Sequence, residues 1–174
     1  MKSRQSGLSL LDLMITLAVM FVLLTIALPS MGNLVREHRL TSHSNTLLAH
    51  LHYARHEAVF RRQHVTACPS LDQLECTGDN RWDRGWIVFI DADRSGQPDS
   101  ERDILRVVQP TDSLLMHSAG RIRVRFQPHG GAYGTNLTIR VCDPSGSADP
   151  RAVVVSNPGR IRSTDQVDPA ECEV

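Results

Sequence analysis

An apolar run from Leu8 to Leu28 constrains this chain more than any other feature. It is 21 residues long and carries a single charge, Asp12. As an α-helix it measures about 30 Å, the thickness of a bilayer's hydrocarbon core. A short polar leader, Met1 to Gly7, stands before it, and Pro29 and a polar, amphipathic stretch follow. Three kinds of segment share this outline. A cleaved secretory signal has a shorter apolar core and a small-residue cleavage site, and no Ala-x-Ala follows this one. A plain membrane anchor fits the length but accounts for neither Gly7 nor Asp12. An acid within a membrane segment is costly and points to function. Lys2 and Arg4 precede the run, which places the leader on the cytoplasmic side and the rest of the chain beyond that membrane.

The stretch from Gly7 to Leu17 favours the third kind. Its Gly-Leu-Ser-Leu-Leu-Asp order resembles the class III leader of type IV pilins and type II secretion pseudopilins. The resemblance implies that a prepilin peptidase cuts after Gly7 and that the new amine of Leu8 is methylated. It also implies that Asp12 meets the terminal amine of a neighbouring subunit during assembly. The family usually has Phe after the cut and Glu as the acid, so Leu8 and Asp12 are departures. Aspartate is one methylene shorter, which alters that amine contact. Pro29 falls where the family often bends its helix. Residues 1–7 are then a leader, 8–29 a transmembrane and assembly helix, 30–62 its amphipathic continuation, and 63–174 a periplasmic β-rich domain.

Beyond the run, the apolar positions Leu40, Leu47, Leu48, Leu51, Ala54 and Ala58 recur at helical spacing. From residue 63 the period changes to that of strands. Candidates are Val65–Cys68, Gly85–Ile90, Ile104–Val108, Gly120–Phe126, Leu137–Cys142 and Arg151–Ser156. Residues 86–108 read as a β-hairpin. The expected class is α+β, a pilin fold with one long N-terminal helix packed on an antiparallel β-rich domain. The segment from Trp82 to Arg106, in which Gly85-Trp-Ile-Val-Phe leads into an acidic turn, resembles the GspH/FimT branch of the pilin family.

Four cysteines, Cys68, Cys76, Cys142 and Cys172, all lie beyond the anchor. An even number in an exported domain favours disulfides. Three connectivities are open. Cys68 with Cys76 and Cys142 with Cys172 is the preferred one, closing a short loop and tying down the C-terminal tail. A zinc site is the rival, but no C-x2-C pair exists. His52 and His56 stand at i, i+4 without a third ligand, so no metal is assigned there. The turn from Asp91 to Glu101 partly matches a calcium loop, but Arg102 occupies the twelfth position where a bidentate Glu belongs. A polar hairpin turn is the expectation.

The formal net charge is zero, with 19 basic and 19 acidic residues. Lys2 is the only lysine, and loss of the leader leaves 17 arginines against 19 acids. Any anion site must therefore be local. Arg121, Arg123, Arg125, Arg140, Arg151, Arg160 and Arg162 crowd residues 121–162, with only Asp143 and Asp149 against them. In Gly159-Arg-Ile-Arg162, an extended backbone puts both guanidinium groups on one side, about 7 Å apart, and turns Ile161 inward. With the Val153–Val155 strand before it, the segment resembles the C-terminal G-R-x-R signature of FimT-like minor pilins. That resemblance assigns DNA capture in natural transformation to Gly159, Arg160 and Arg162, with Arg121, Arg123 and Arg125 as extensions of the surface. Gly120-Arg-Ile-Arg123 is a second copy of the string.

No catalytic constellation is present: no G-x-S-x-G elbow, phosphate loop or H-E-x-x-H. No enzyme activity and no cofactor are expected. The expected protein is a minor type IV pilin that binds extracellular double-stranded DNA, largely without sequence preference. Its partners are other pilin subunits, the prepilin peptidase and the inner membrane. It would cross that membrane once and then assemble into a pilus or pseudopilus at the cell surface. The alternative is a structural minor pilin or secretion pseudopilin that primes or caps a fibre without binding DNA. A calcium-stabilised adhesive domain is a third class, resting on residues 91–101 alone.

Overall fold

The computed structural model describes residues 9–172, with residues 26–30 described by their backbone alone. The chain divides into two compact units, 1–35 and 36–174. One α-helix, α1 (Leu10–Arg61), contributes to both. In the first unit its described side chains are exposed, among them Leu10, Leu11, Leu13, Phe21, Leu24, Met31 and Leu34. Among the described residues no helix is long and apolar enough to cross a membrane. The expected span 8–29 lies partly outside them, as do Gly7 and Leu8.

In the second unit the helix shows the amphipathic period that its sequence predicts. Leu40, Leu47, Leu51, Ala54 and Ala58 are fully buried, and Leu48 packs beside them. Phe60, with no partner layer, is exposed. Against the buried stripe lie eight strands: β1 (Val65–Pro69), β2 (Trp86–Ile90), β3 (Ile104–Val108), β4 (Leu115–Ser118), β5 (Val124–Phe126), β6 (Leu137–Cys142), β7 (Arg151–Val155) and β8 (Ile161–Thr164). They form two four-stranded sheets, ordered β3-β2-β1-β5 and β4-β6-β7-β8. Every pairing is antiparallel.

One apolar core joins helix and sheets. The first sheet gives Val65, Ala67, Trp86, Val88, Val124 and Phe126; the second gives Met116, Leu137, Ile139, Val141, Val153, Val155 and Ile161. The strict alternation of β6 (Leu137, Ile139 and Val141 inward) is what a sheet with one solvated face requires. Strand β1 is buried at every position, because Cys68, Ile87 and Phe89 form a second small cluster on its other face. The Cys68–Cys76 disulfide closes over that cluster, and Cys142–Cys172 ties the tail to the end of β6, as expected.

Two strand expectations are corrected. Only Val124–Phe126 of the alternating stretch 120–126 is a strand. Gly120 takes a left-handed φ of +73°, and the chain from 121 to 123 is held by other bonds instead of a ladder. The Ser118 hydroxyl donates to the Arg121 carbonyl, and the Arg121 guanidinium donates to the Gly134 carbonyl. Arg121, Arg123 and Arg125 therefore do not form one row on a strand. Conversely, Leu115–Ser118 pairs with β6 although its sequence shows no alternation. The Trp82 indole N–H donates to the Ser118 hydroxyl at 3.1 Å, which anchors that short strand.

Candidate nucleic-acid interface

The β7–β8 hairpin carries Gly159, Arg160 and Arg162. Its turn is Ser156 to Arg160, closed by the Gly159 N–H to the Ser156 carbonyl at 2.8 Å and the Ser156 N–H to the Arg160 carbonyl at 3.0 Å. Gly159 is buried with φ +79°, and a Cβ there would collide with the Gly130 carbonyl. Only glycine serves such a position, since it accepts the left-handed backbone and the close approach together. The neighbouring loop is fixed in turn: the Ala132 N–H donates to the Asn157 carbonyl at 2.8 Å, and Arg55 Nε of α1 donates to the Gly130 carbonyl at 3.0 Å. The hairpin tip thus rests on a loop that is bonded to the helix.

From that base the chain is extended. Arg160 is exposed, Ile161 is buried in the core, and Arg162 is exposed beside Val154. The expected placement, two guanidinium groups flanking an inward isoleucine, is what the backbone provides. Among the described residues neither side chain has a hydrogen-bond or ion-pair partner; Asp165 and Asp168 do not pair with them.

The other arginines divide by their partners. Arg140 is bonded to Glu171 at 2.7 Å across the second sheet's outer face. Arg125 is bonded to Asp91 at 2.7 Å, a carboxylate whose side chain is fully buried. Asp91 also accepts from the Thr66 hydroxyl at 2.6 Å and the Gly96 N–H at 3.0 Å. That network turns the first carboxylate of the 91–101 turn into the fold, against Thr66, Gly96 and Arg125. Among the described residues no three His, Cys, Asp or Glu side chains converge on a metal position.

Arg121, Arg123 and Arg125 do meet, but in a cleft of about 410 Å³ and not on a strand face. Arg94 joins them there. No period in the sequence could reveal Arg94, because it is brought in by a tight turn in which its own φ is +64°. The potential of this corner acts on His64: burial first, then the charges of Arg94 and Arg125, push its imidazole below the ordinary range. A second groove, of about 630 Å³, runs over the outer face of the second sheet. Arg121 and Arg140 line it, together with residues 154–158 of the β7–β8 hairpin.

At the other end of the chain, Asp12 has a local role that its spacing from Ser9 announces. Its carboxylate accepts the Ser9 N–H at 3.2 Å, and the Ser9 hydroxyl accepts the Leu11 N–H at 3.4 Å. This is a capping box at the start of α1, satisfying donors that a helix leaves unpaired.

The chain matches the family of the type II transport protein GspH over residues 43–159, closing on the glycine of the hairpin tip. No curated protein is similar enough to count as a match. Among solved structures it is similar to the type IV minor pilin FimU of Pseudomonas aeruginosa in two crystal forms. Identities are 23% and 24%, over 73% and 71% of this chain and 89% and 91% of those chains, with TM-scores of 0.58 and 0.57. It is also similar to the minor pseudopilin EpsH from the type 2 secretion system of Vibrio cholerae. That likeness is 12% identical over 71% of this chain and 94% of that one, with a TM-score of 0.52. At these identities the structures establish a shared fold. With the family match spanning most of its length, the chain belongs to the GspH family and has the fold of the minor pilins and pseudopilins.

Proposed function

We propose that this protein is a minor pilin that captures extracellular double-stranded DNA through Arg160 and Arg162, for uptake in natural transformation. The observation that carries the reading is the hairpin tip. Two exposed guanidinium groups flank a buried isoleucine, unpaired among the described residues, on a turn whose glycine is locked against a second loop. Arginine meets phosphate through two parallel N–H donors, and its charge cannot be lost near neutral pH. The roughly 7 Å repeat of alternate strand positions is close to the step between successive phosphates on one strand. Arginines used in this way position a protein on the duplex without reading bases. Two of them give weak binding for one subunit, and repetition along a fibre raises it by avidity.

Cleavage at Gly7, methylation of Leu8, membrane anchoring by residues 8–29 and assembly through Asp12 belong to the same reading. Support comes from the exposed apolar side chains of the first unit, which need a lipid or protein environment. FimU is a minor pilin and EpsH a minor pseudopilin, which supports association with other pilin subunits in a fibre.

The test is a mobility shift with duplex DNA and the full chain in a maltoside detergent. Parent protein should shift the DNA and the Arg160→Ala/Arg162→Ala variant should not. Equal shifts would remove the site. A second reading, a secretion pseudopilin without DNA binding, is favoured by the match to a type II transport protein family and the likeness to EpsH. A deletion strain that takes up DNA normally but loses its fibres would establish it in place of the first.

A further inference from the structure

The string Gly-Arg-Ile-Arg occurs twice, and the earlier copy takes no part in the hairpin. Gly120 and Gly159 have the same left-handed backbone, φ +73° and +79°. Each sends two arginines out of a tight turn. Those of the earlier copy, Arg121 and Arg123, line the cleft of about 410 Å³ with Arg94 and Arg125. No acidic side chain lines this cleft. The nearby carboxylate, Asp91, is fully buried and already bonded to Thr66, Gly96 and Arg125. Asp91, and the exposed Asp93 whose carboxyl is held below its ordinary range by hydrogen bonds from Ser95 and in part by the charge of Arg125, offset two of the four charges, which leaves two.

The guanidinium groups are held apart by neutral bonds. Arg121 donates to the Gly134 carbonyl, Arg123 lies against Gly96 and donates to the Ser95 carbonyl at 3.4 Å, and Arg125 donates to the Arg94 carbonyl at 2.8 Å. Each guanidinium has five N–H donors, so each keeps several for a ligand. An excess of two positive charges, spread over four guanidinium groups around an open concavity, forms a site for an anion with several acceptor oxygens.

We propose that this cleft is a second phosphate-binding site, and that it takes a backbone phosphate of the same DNA that the hairpin holds. The second half of the proposal rests on the DNA reading above. The link between the two copies is the groove over the second sheet, because Arg121 lines it as well as the cleft, and residues 154–158 form its other end, just before Gly159 and Arg160 in the chain. A strand lying on Arg160 and Arg162 would reach the cleft along this groove, whose lining is mixed polar and apolar and which it would share with the Arg140–Glu171 pair.

The experiment is amide NMR of the isotope-labelled full chain in maltoside micelles, titrated separately with inorganic pyrophosphate and with a short DNA duplex. Three proteins are compared: parent, Arg94→Gln/Arg123→Gln and Arg160→Ala/Arg162→Ala. The Arg94 side chain takes part in no hydrogen bond or ion pair among the described residues, and the Arg123 side chain gives up one long bond, to the Ser95 carbonyl at 3.4 Å, which the glutamine amide can replace as a donor, so the first variant mainly removes charge. Arg94→Lys/Arg123→Lys serves as the control that restores charge.

Pyrophosphate should shift the Ser95, Gly96 and Gly120 amides in the parent and in the hairpin variant, and not in the Gln variant. DNA should shift both the cleft and the hairpin amides. The Gln variant should lower the slope of log affinity against log salt by about 0.9 for each phosphate that the cleft no longer holds, and the Lys variant should recover it. If pyrophosphate shifts the cleft amides while DNA shifts nothing, the cleft stands as a site for free phosphates and the DNA reading falls. DNA shifts confined to the hairpin, with a cleft silent to both ligands, would overturn the cleft and leave the DNA reading standing.

Discussion

Substituting Gly159 with alanine tests whether the hairpin tip is built as described. The added Cβ would stand 2.9 Å from the Gly130 carbonyl carbon and nearer still to its oxygen, and 3.2 Å from the Gly131 Cα. A left-handed backbone costs an ordinary L-residue about 1–2 kcal/mol. Overpacking a filled site adds about 1–3 kcal/mol. The obstructing carbonyl cannot retreat freely, because it accepts from Arg55 of α1, and the Gly130 N–H is bonded to the Gln127 carbonyl at 2.7 Å. The loss is thus about 3–4 kcal/mol, in the upper part of the summed range.

Gly120→Ala supplies the comparison. Its φ is nearly the same, but nothing lies within 4 Å of the new Cβ. Only the backbone cost remains, about 1–2 kcal/mol. Thermal unfolding of the full chain in maltoside, followed by near-ultraviolet circular dichroism, reads both. At about 2–4 °C per kcal/mol for a chain of this size, Gly159→Ala should lower Tm by about 6–16 °C and Gly120→Ala by about half that or less. Equal shifts for the two variants would refute the packing of Gly159 on the Gly130 loop.

Other perturbations follow from the same geometry. Asp91→Ala removes the acceptor of the Thr66 hydroxyl, the Gly96 N–H and Arg125, whose guanidinium then turns to the water of the cleft, so a loss of about 1.5–3 kcal/mol is expected in denaturant unfolding. Removing Cys142–Cys172, whose partners are 30 residues apart, should cost about 3.5 kcal/mol, against about 2.5 for Cys68–Cys76 with a separation of 8, from the chain entropy that each loop removes. Serine pairs at each bridge give these values by urea titration, and the reverse order would count against the entropic account. Burial pushes the imidazoles of His43, His50, His64 and His117 below their ordinary value of 6.5. The folded state therefore binds fewer protons than the unfolded one just below that value. Stability from these four is complete above about pH 6.5 and is lost as pH falls through the window beneath it. A flat melting temperature between pH 7.5 and pH 5 would contradict this (the two limits being about one unit either side of the imidazole range).

Much of the fold is legible in the sequence because its signals are periodic. Leu40, Leu47, Leu51, Ala54 and Ala58 fix the buried face of the helix, and Leu137, Ile139 and Val141 fix the inner face of β6. The cysteine pairing is legible because the two short separations leave the tail tied and one small loop closed. Leu115–Ser118 escapes because it is held by distant partners, β6 along its ladder and the Trp82 indole on Ser118, and not by a pattern of its own. The arginine stretch misleads for the opposite reason. Arg121, Arg123 and Arg125 alternate without a break, but one glycine with a left-handed backbone and two bonds from Arg121 and Ser118 take the first two of them off the strand.

The candidate site divides in the same way. The local order Gly159-Arg-Ile-Arg162 sets the alternation of outward and inward side chains, and that is readable in four letters. That Gly159 rests on Gly130, and that Arg94 joins the earlier copy of the string, are facts of tertiary structure. Asp12 had a readable second role: Ser9 three residues before it is the signature of a capping box, and the carboxylate closes that box.

The salt dependence of duplex DNA binding tests the central claim most directly. For the full chain in maltoside, log affinity should fall linearly with log salt, and the Arg160→Ala/Arg162→Ala variant should bind more weakly with a slope smaller by about 1.8, the value for two neutralised phosphates. A parent and variant with the same affinity and the same slope would contradict the assignment of DNA binding to the hairpin.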